Sequence, residues 1–452
     1  MFTRIINNIR STVKFSFGLL IIVQGIANAQ SLILNETNKT HIIRFNDPEI
    51  IQLPQEPSLA DYEHFALLNN PGIKAKYNRW QASINKITIV KALPYPRITF
   101  GYFLENIETA VGPQEYKIGL TQMIPWFGKL KLQGDIQALR AESEFQNLKS
   151  AVNNLSYRLK DIYYDYYYLV RTIDITKQNI DLVQHWDAVV QNKYKTAVVG
   201  YGDLIKTQIE LIKMQDDLQT LQDRQYPLLE TFRTLLNIDN LQSIHVPKTL
   251  KCDSLILTQS EVETLILEYN PHLNRMKLQR DIGDLSIHRA KLNYYPDLGF
   301  GVDYIATGEK YTSSGGPVID SGKDPLVFML SLSVPLWWGK QKAEVNVARN
   351  LKRNAEEQIN DIENIFKAEL SNILFEMDDA RRKVTLYREQ LIPKSIESLR
   401  VSEKEYISGK SDFLSMIDAQ RMYLQLFLEH ERSIVRYQKA LAKLEKLIGR
   451  KI

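Results

Sequence analysis

Four segments of the chain alternate between apolar residues and small or polar ones. In residues 97–105 every second side chain is apolar, and residues 116–121 continue the pattern, which has the period of a β-strand. Segments that begin at residues 297 and 328 repeat it. Four strands with one oily face are therefore predicted, as in a wall between lipid and water or in a half-buried sheet of a soluble domain. The apolar positions are Ile98, Phe100, Tyr102, Leu104, Tyr116, Ile118, Leu120, Leu298, Phe300, Val302, Tyr304, Phe328, Leu330, Leu332 and Val334.

Long helical stretches separate the strand pairs. Residues 129 to about 197 and 340 to about 408 are rich in Ala, Glu, Gln, Lys, Leu and Arg. Each run would extend about 100 Å at 1.5 Å per residue, which is unusual for a globular domain. Each is followed, after a glycine, by a second helix, so the pattern predicts two coiled-coil hairpins. The second helices are expected at 203–237 and 411–449, and shorter helices at 59–92 and 260–292 precede the strands.

The chain matches itself at an offset of about 200 residues. Five landmarks recur in the same order, and the second half has a longer Gly/Ser-rich loop between two of them. The chain is therefore expected to consist of two copies of one unit, residues 30–237 and 259–452, joined by a linker at 238–258. The landmarks are Asn70-Pro71 with Asn270-Pro271, Tyr95-Pro96 with Tyr295-Pro296, the aromatic-Gly-Lys runs ending at Lys129 and Lys340, Tyr194 with Tyr406, and Gln208 with Gln420.

Residues 1–29 have the features of a secretory signal peptide. They contain three basic residues and no acidic one, an apolar core over 15–23, and the small-residue triplet Ala27-Asn28-Ala29. Cleavage is expected before Gln30. The alternative, a retained membrane anchor, would need about 20 apolar residues, and this core is shorter. The mature chain is therefore expected to leave the cytoplasm.

Composition excludes several classes of function. The whole chain has 57 basic and 53 acidic residues, and the signal peptide contains three of the basic ones, so the mature chain is close to neutral and nucleic acid is not an expected partner. Cys252 is the only cysteine, which excludes an internal disulfide. No histidine pair or acidic cluster has metal-site spacing, and no catalytic triad or nucleophile motif occurs. Neither an enzyme nor a metal or other cofactor is expected.

The number of predicted strands requires more than one copy of the chain. The smallest transmembrane barrels have about eight strands, whereas this chain supplies four. An open sheet edge in lipid would leave backbone groups unpaired, at a cost of several kcal/mol for each group. At least two chains must therefore share one barrel, if the sheet lies in a membrane.

Two units of helix, strand pair and long helical hairpin resemble the TolC-like outer-membrane efflux protein family over essentially the whole mature chain. The resemblance implies a fold that is mainly α with β, in which the hairpins form an α-barrel and the strands contribute to a shared transmembrane β-barrel. It also implies a homotrimer in the outer membrane that extends into the periplasm. Such a channel exports solutes passively, together with a periplasmic adaptor and an inner-membrane pump. Residues 123–129 are similar to the corresponding stretch of the CusC-like heavy-metal efflux subgroup.

Two other functions remain open at this stage. A duct for type I protein secretion belongs to the same class of channel, and the sequence does not separate it from small-molecule efflux. A non-conducting envelope scaffold built on the same coiled coils belongs to a different class, and it would not need four strands with a consistently oily face.

In the TolC-like family each hairpin turn carries a Tyr-x-x-Gly pattern, with acidic residues six and nine positions after the glycine. The second unit has Tyr406 and Gly409, and the first has Tyr194 but Ala197 in place of the glycine. The resemblance implies that Asp203 accepts a hydrogen bond from Tyr406, and that these residues and Tyr194 form a latch. It also implies that Asp418 forms a ring of carboxylates in the pore. An adaptor would dock on the turns, at Ala197, Val198, Gly200, Gly409 and Lys410.

Both acidic residues have simpler interpretations. Asp203 could cap the helix that follows it, since aspartate is a preferred cap residue, and Asp418 could face solvent outside the pore. Ser411 occupies a position where a family member has a gating arginine, so Lys195 or Lys410 would have to compensate.

Four aromatic residues mark the transitions from strand to helix: Trp126, Phe127, Trp337 and Trp338. Aromatic side chains concentrate at membrane–water boundaries, so these residues are expected to form a girdle there. Packing beneath the barrel is the alternative.

Overall fold

The computed structural model describes residues 53–252 and 257–452, which belong to one unit, Leu53–Ile452. The predicted signal peptide and residues 30–52 lie outside the described residues. The unit is mostly helical and contains one four-stranded sheet. None of its described helices is both long and apolar enough to cross a membrane.

The same order of elements occurs twice along the chain. In the first half the elements are α1 (Leu59–Asn69), α2 (Pro71–Lys91), β1 (Arg97–Glu108), β2 (Pro113–Ile124), α3 (Lys129–Lys195), α4 (Tyr201–Asp223) and α5 (Gln225–Leu236). In the second half they are α6 (Gln259–Tyr269), α7 (Pro271–Leu292), β3 (Asp297–Thr307), β4 (Leu326–Ser333), α8 (Trp338–Leu386), a π-helical turn (Tyr387–Leu391), α9 (Ile392–Ile407) and α10 (Phe413–Ile448). The helix α3 has 67 residues, which corresponds to about 100 Å.

The expected single helices at 59–92 and 260–292 are each divided in two, which corrects the sequence prediction. Asn70 and Asn270 are extended at the break because a proline follows each of them. Their side chains cap α2 and α7: Asn70 Oδ1 accepts from the Gly72 amide at 2.9 Å, and Asn270 Oδ1 accepts from the Leu273 amide at 2.9 Å. Each Asn also donates to a carbonyl at the end of its own unit's hairpin. Asn70 donates to Leu235 O at 3.1 Å, and Asn270 donates to Leu447 O at 2.6 Å.

Two prolines interrupt helices that were expected to be continuous. The second helix of the first hairpin breaks at Arg224, between α4 and α5, because Pro227 has no amide hydrogen for the carbonyl of Asp223. Pro393 likewise lacks an amide hydrogen, and it interrupts the helix that was expected from 340 to 408. The π-helical turn just before it accommodates the missing hydrogen bond. The prediction of one uninterrupted helix over 340–408 overlooked this proline.

The sheet is an antiparallel meander in the order β1-β2-β3-β4. Its register places apolar residues opposite each other on neighbouring strands: Phe100 faces Ile118, Ile118 faces Tyr304, and Phe300 faces Leu330. The predicted alternation is therefore confirmed, and the apolar residues share one face. That face is open in the single chain, since Leu104 is 94 % exposed and Phe328 79 % exposed.

The other face of the sheet carries glycines and charged residues together with a few apolar ones. Gly119, Gly299 and Gly301 lie on it, and a Cβ on Gly119 would stand 2.3 Å from Asp303 Oδ1. Asp303 is buried, and Lys117 from the neighbouring strand pairs with it. The sheet thus has an oily face without a cover and a face that carries charge.

The helices bury their apolar residues against one another rather than in a globular core. The long helix α3 packs against α2, α7 and α10, and α8 packs against α7 and α10. Near the hairpin turns, a cluster that includes Val183, Trp186, Met214, Phe413 and Met416 joins the two hairpins. A second cluster, away from the hairpin turns, joins α6, α8 and α10.

Candidate functional site

The two hairpin turns share one backbone geometry. The first tip, residues 196–200, follows α3, and the second tip, residues 408–412, follows α9. Ala197 (φ 56°) and Gly409 (φ 75°) are both in the left-handed region, and the next amide in each tip donates five residues back. These bonds run from Val198 N to the carbonyl of Lys193 and from Lys410 N to that of Glu405, at 2.9 and 2.8 Å. The left-handed conformation disfavours a side chain, so Ala197 is strained where Gly409 is not.

Tyr406 is the central side chain of the joined tips. It is 4 % exposed, its ring lies 5.6 Å from that of Phe413, and it belongs to the cluster that joins the hairpins. Its counterpart Tyr194 is 42 % exposed and contacts Tyr201. The two tyrosines therefore have equivalent sequence positions but different environments.

The hydroxyl of Tyr406 is buried and has no hydrogen-bond partner in the described chain. The hydrogen bond to Asp203 that the family resemblance implies is thus not formed in this structure. Asp203 is nevertheless close enough that burial and the negative charge of its carboxylate raise the pKa of Tyr406 to about 12. The hydroxyl therefore remains a donor at all physiological pH values.

Asp203 occupies the first turn of α4, and Gly200 is at the cap position. The simpler interpretation, in which Asp203 caps α4, is therefore wrong. Asp203 lies in the first turn of the helix, where a carboxylate interacts favourably with the helix dipole. The cap of the corresponding helix α10 is Asp412, whose Oδ1 accepts from the Ser415 amide at 3.0 Å.

Lys193 connects the tips in a way that sequence reasoning missed. Its Nζ donates to the carbonyls of Tyr406 and Ile407 at 2.7 and 2.8 Å, and it lies 4.7 Å from the centre of the Tyr406 ring. These carbonyls end α9, so the ammonium both satisfies them and complements the helix dipole. The only sequence signal was a lysine in the last turn of α3, which by itself does not indicate a partner on another hairpin.

A second connection lies between two and three helical turns from the tips. Arg421 on α10 forms a two-pronged pair with Glu210 on α4, with N···O distances of 3.2 and 2.6 Å. Glu210 raises the pKa of Arg421 further. Sequence reasoning also missed this pair, because its members are more than 200 residues apart.

Asp418 lies on the same helix as Arg421, and their closest atoms are 3.9 Å apart. Its side chain is 64 % exposed in the single chain. The remaining tip residues expected to meet a partner, Ala197, Val198, Gly200, Gly409 and Lys410, are also exposed. The tips therefore present an accessible surface next to a buried core.

Polar contacts continue between the hairpins above the tips. Trp186 Nε1 donates to Glu403 Oε1 at 3.0 Å, and Gln420 Nε2 donates to Asn179 Oδ1 at 3.0 Å within the buried seam. These polar contacts join the hairpins alongside the apolar cluster that contains Trp186 and Met416.

The strand-to-helix aromatics fall into two environments. Trp126 is partly covered and stacks on Tyr295, with ring centres 5.2 Å apart and planes at 10°. Phe127, Trp337 and Trp338 are 73 to 78 % exposed. Beside Trp126, Lys129 Nζ lies 2.8 Å from Asp297 Oδ1.

No group of three His, Cys, Asp or Glu side chains within residues 53–252 and 257–452 is arranged to hold a metal ion.

Comparisons with known proteins agree with the fold of the chain. Residues 264–450 match the family model of outer membrane efflux proteins. None of the curated protein sequences matches the chain. A membrane protein from Pseudomonas aeruginosa has a similar structure, with a TM-score of 0.73 at 18 % identity over 88 % of this chain and 91 % of that one.

Two further solved structures have the same fold. CusC, whose structures concern transmembrane channel formation, matches with a TM-score of 0.73 at 14 % identity over 87 % of this chain and 92 % of that one. VceC, an outer membrane protein of Vibrio cholerae, matches with a TM-score of 0.70 at 12 % identity over 87 % and 96 %. The resemblance noted in the sequence is confirmed by the family model over residues 264–450 and by the fold of these solved structures.

Proposed function

Starting from the outer membrane efflux protein domain at residues 264–450, we propose that this chain forms the outer-membrane channel of a tripartite efflux system. Three copies would share one barrel and pass solutes from an inner-membrane pump, through a periplasmic adaptor, to the exterior. The channel performs no chemistry of its own. Lipid would contact the oily face of the sheet.

The uncovered oily face of the sheet is the observation that carries this proposal. Each of the four strands has strongly exposed apolar residues on this face, from Tyr304 at 38 % to Leu104 at 94 %, whereas Lys117 and Asp303 form an ion pair on the opposite face. A soluble sheet would cover such a face, and exposed apolar patches of this size mark contact with lipid or another protein. Lipid outside and water inside account for both faces.

The helices and tips supply the rest of the conduit. Helices of about 100 Å are long enough to extend well beyond an outer membrane into the periplasm. In the closed state Tyr406 would donate to Asp203, with Tyr194 completing the latch, and Asp418 would line the pore as a ring. The exposed residues of the two tips would receive the adaptor, and Trp126, Phe127, Trp337 and Trp338 would lie at the membrane boundary.

The decisive experiment places one lysine on each face of the same inner strand. Leu120 lies on the oily face and its neighbour Thr121 on the polar face. We expect Leu120→Lys to abolish recovery of the protein in the outer-membrane fraction, because a lysine near the bilayer midplane costs about 2–4 kcal/mol. Thr121→Lys should insert normally, because its charge would meet water.

Planar-bilayer conductance of the purified wild type then separates the competing functions. Conductance steps with both variants behaving as expected would support the channel. A folded, membrane-inserted oligomer that never conducts would favour the non-conducting scaffold. Equal recovery of the two lysine variants would contradict the assignment of the oily face to lipid.

A further inference from the structure

A polar cavity of about 220 Å³ lies between three helices, and we call it the α3 cavity. The helix α3 contributes most of its lining, and α2 and α7 contribute the rest. Its floor is formed by Ser83, Gln137 and Ser143, which are only 6 to 8 % exposed. Two exposed cations stand at its rim, Lys86 on α2 and Arg140 on α3. The remaining lining residues are Glu144 and Gln279.

The buried floor is held in place by hydrogen bonds between its own side chains. Gln137 Nε2 donates to the carbonyl oxygen and to Oγ of Ser83, both at 3.0 Å. Gln279 Nε2 donates to Ser143 Oγ at 3.3 Å. Both serine hydroxyls therefore accept from a glutamine, and neither donates its own hydrogen to another group within residues 53–252 and 257–452. Two hydroxyl donors thus remain available to a ligand.

The two cations at the rim have no counter-ion. Neither Lys86 nor Arg140 forms an ion pair or a hydrogen bond in the described part of the chain. Glu144, which also lines the cavity, is neutralised by Arg79 at 3.0 Å and accepts from Asn147 Nδ2 at 3.2 Å. The α3 cavity therefore combines two uncompensated positive charges with two free hydroxyl donors.

The second repeat shows that the fold does not require this cavity. At the equivalent place between α7 and α8, Gly283 replaces Ser83, and a Cβ on it would stand 2.8 Å from Lys352 Cβ. The two helices are thus in close contact where the first repeat has a cavity. A cavity and buried polar groups both cost free energy, so their presence in one repeat only points to a ligand. The other exchanges are Lys86 to Ser286, Gln137 to Ala348, Arg140 to Leu351 and Ser143 to Asn354.

We propose that the α3 cavity binds the phosphate group of a small soluble anion, either inorganic phosphate or a phosphate ester. The Arg140 guanidinium matches two phosphate oxygens at once, and the Lys86 ammonium balances the second negative charge. The hydroxyls of Ser83 and Ser143 donate to the oxygens that face the floor. A carboxylate has a single charge and two oxygens, so it would leave one cation without a partner.

The position of the cavity favours a soluble ligand over a lipid headgroup. Arg140 is the eleventh residue after Lys129, which places it about 16 Å along α3 from the end of the sheet. In the proposed channel that end marks the membrane boundary, and lipid headgroups extend only about 5–8 Å beyond the hydrocarbon. An anion dissolved in water reaches the cavity, whereas a lipid phosphate does not. Only this step rests on the proposed function.

Calorimetric titration with inorganic phosphate tests the site. The full chain is purified in a non-ionic detergent and kept in a phosphate-free buffer at low salt. We expect the wild type to bind a single phosphate per chain. Arg140→Gln and Lys86→Gln should each weaken binding about tenfold or more, because each removes a charged partner of the anion. Both side chains are exposed, so neither change should disturb folding.

Arg353→Gln is the matched control. Arg353 is also exposed and has no ion pair among the described residues, but it lies on α8 and does not line the cavity. This variant should bind phosphate as the wild type does. Ser143→Ala removes a floor donor without a change of charge and should weaken binding by about 3- to 10-fold. Absence of binding by the wild type at millimolar phosphate, or equal affinities in the three charge variants, would overturn the site.

Two competitors distinguish the sources of the phosphate group. Glycerol 3-phosphate is soluble, whereas phosphatidic acid is carried in the detergent micelle around the sheet. We expect only the soluble ester to displace inorganic phosphate, and displacement by phosphatidic acid would overturn the assignment to a soluble anion. The titration involves no conductance. A protein that conducts without binding phosphate contradicts the site alone, and one that binds phosphate but never conducts contradicts the channel alone.

Discussion

Replacing Arg421 by glutamine should make the closed tips easier to open. Arg421 holds α10 against α4 through its two-pronged pair with Glu210. The arginine is 52 % exposed and Glu210 13 % exposed, so the pair is only partly screened by water. We take its contribution as about 0.5–1 kcal/mol for each copy, the upper part of the range for exposed pairs.

The effect is multiplied if the tips of the proposed trimer open together. Three pairs would then contribute about 1.5–3 kcal/mol to the closed state, which corresponds to a roughly 10- to 150-fold change in the ratio of open to closed channels. The assay is the open probability of single channels in planar bilayers at low salt. At about 1 M salt the difference should shrink, because the Debye length falls to about 3 Å.

The chain offers a matched control for this experiment. Arg381 is 50 % exposed, and among residues 53–252 and 257–452 it pairs only with Asp378, three residues away on the same helix, so Arg381→Gln removes a charge without loosening the hairpins. Exchanging the charges of Arg421 and Glu210 should restore most of the closed population. The argument fails if Arg421→Gln and Arg381→Gln give the same open probability, or if the exchanged pair opens as readily as the single variant.

One further prediction concerns the two tips. At the tips, Ala197→Gly should relieve left-handed strain and slow amide hydrogen exchange in the first tip by a few-fold, about 0.5–1 kcal/mol, while Gly409→Ala should speed exchange in the second tip by a similar factor. Opposite signs in the two tips are the required outcome, and equal signs would contradict the shared turn geometry.

The sequence by itself determined the elements and their repetition. Alternation with a period of two identified all four strands and the face that each residue occupies, because side chains on a strand alternate whatever surrounds it. The long helices could be predicted from composition, because helix propensity is also a local property of the residues. The helix breaks at Asn70, at Arg224 and before Pro393 are also local, because each is caused by a proline close by. They could therefore have been predicted from the sequence.

Tertiary structure alone decided which residues of the two hairpins meet. Lys193 and Arg421 look like ordinary surface cations in the sequence, yet each binds a group on the other hairpin. Tyr406 and Tyr194 occupy equivalent positions, but only Tyr406 is buried, because residues of α3 and α4 pack against it, whereas no described residue covers Tyr194 in this way. These differences arise from contacts between residues about 200 positions apart, and such contacts leave no periodic pattern along the chain.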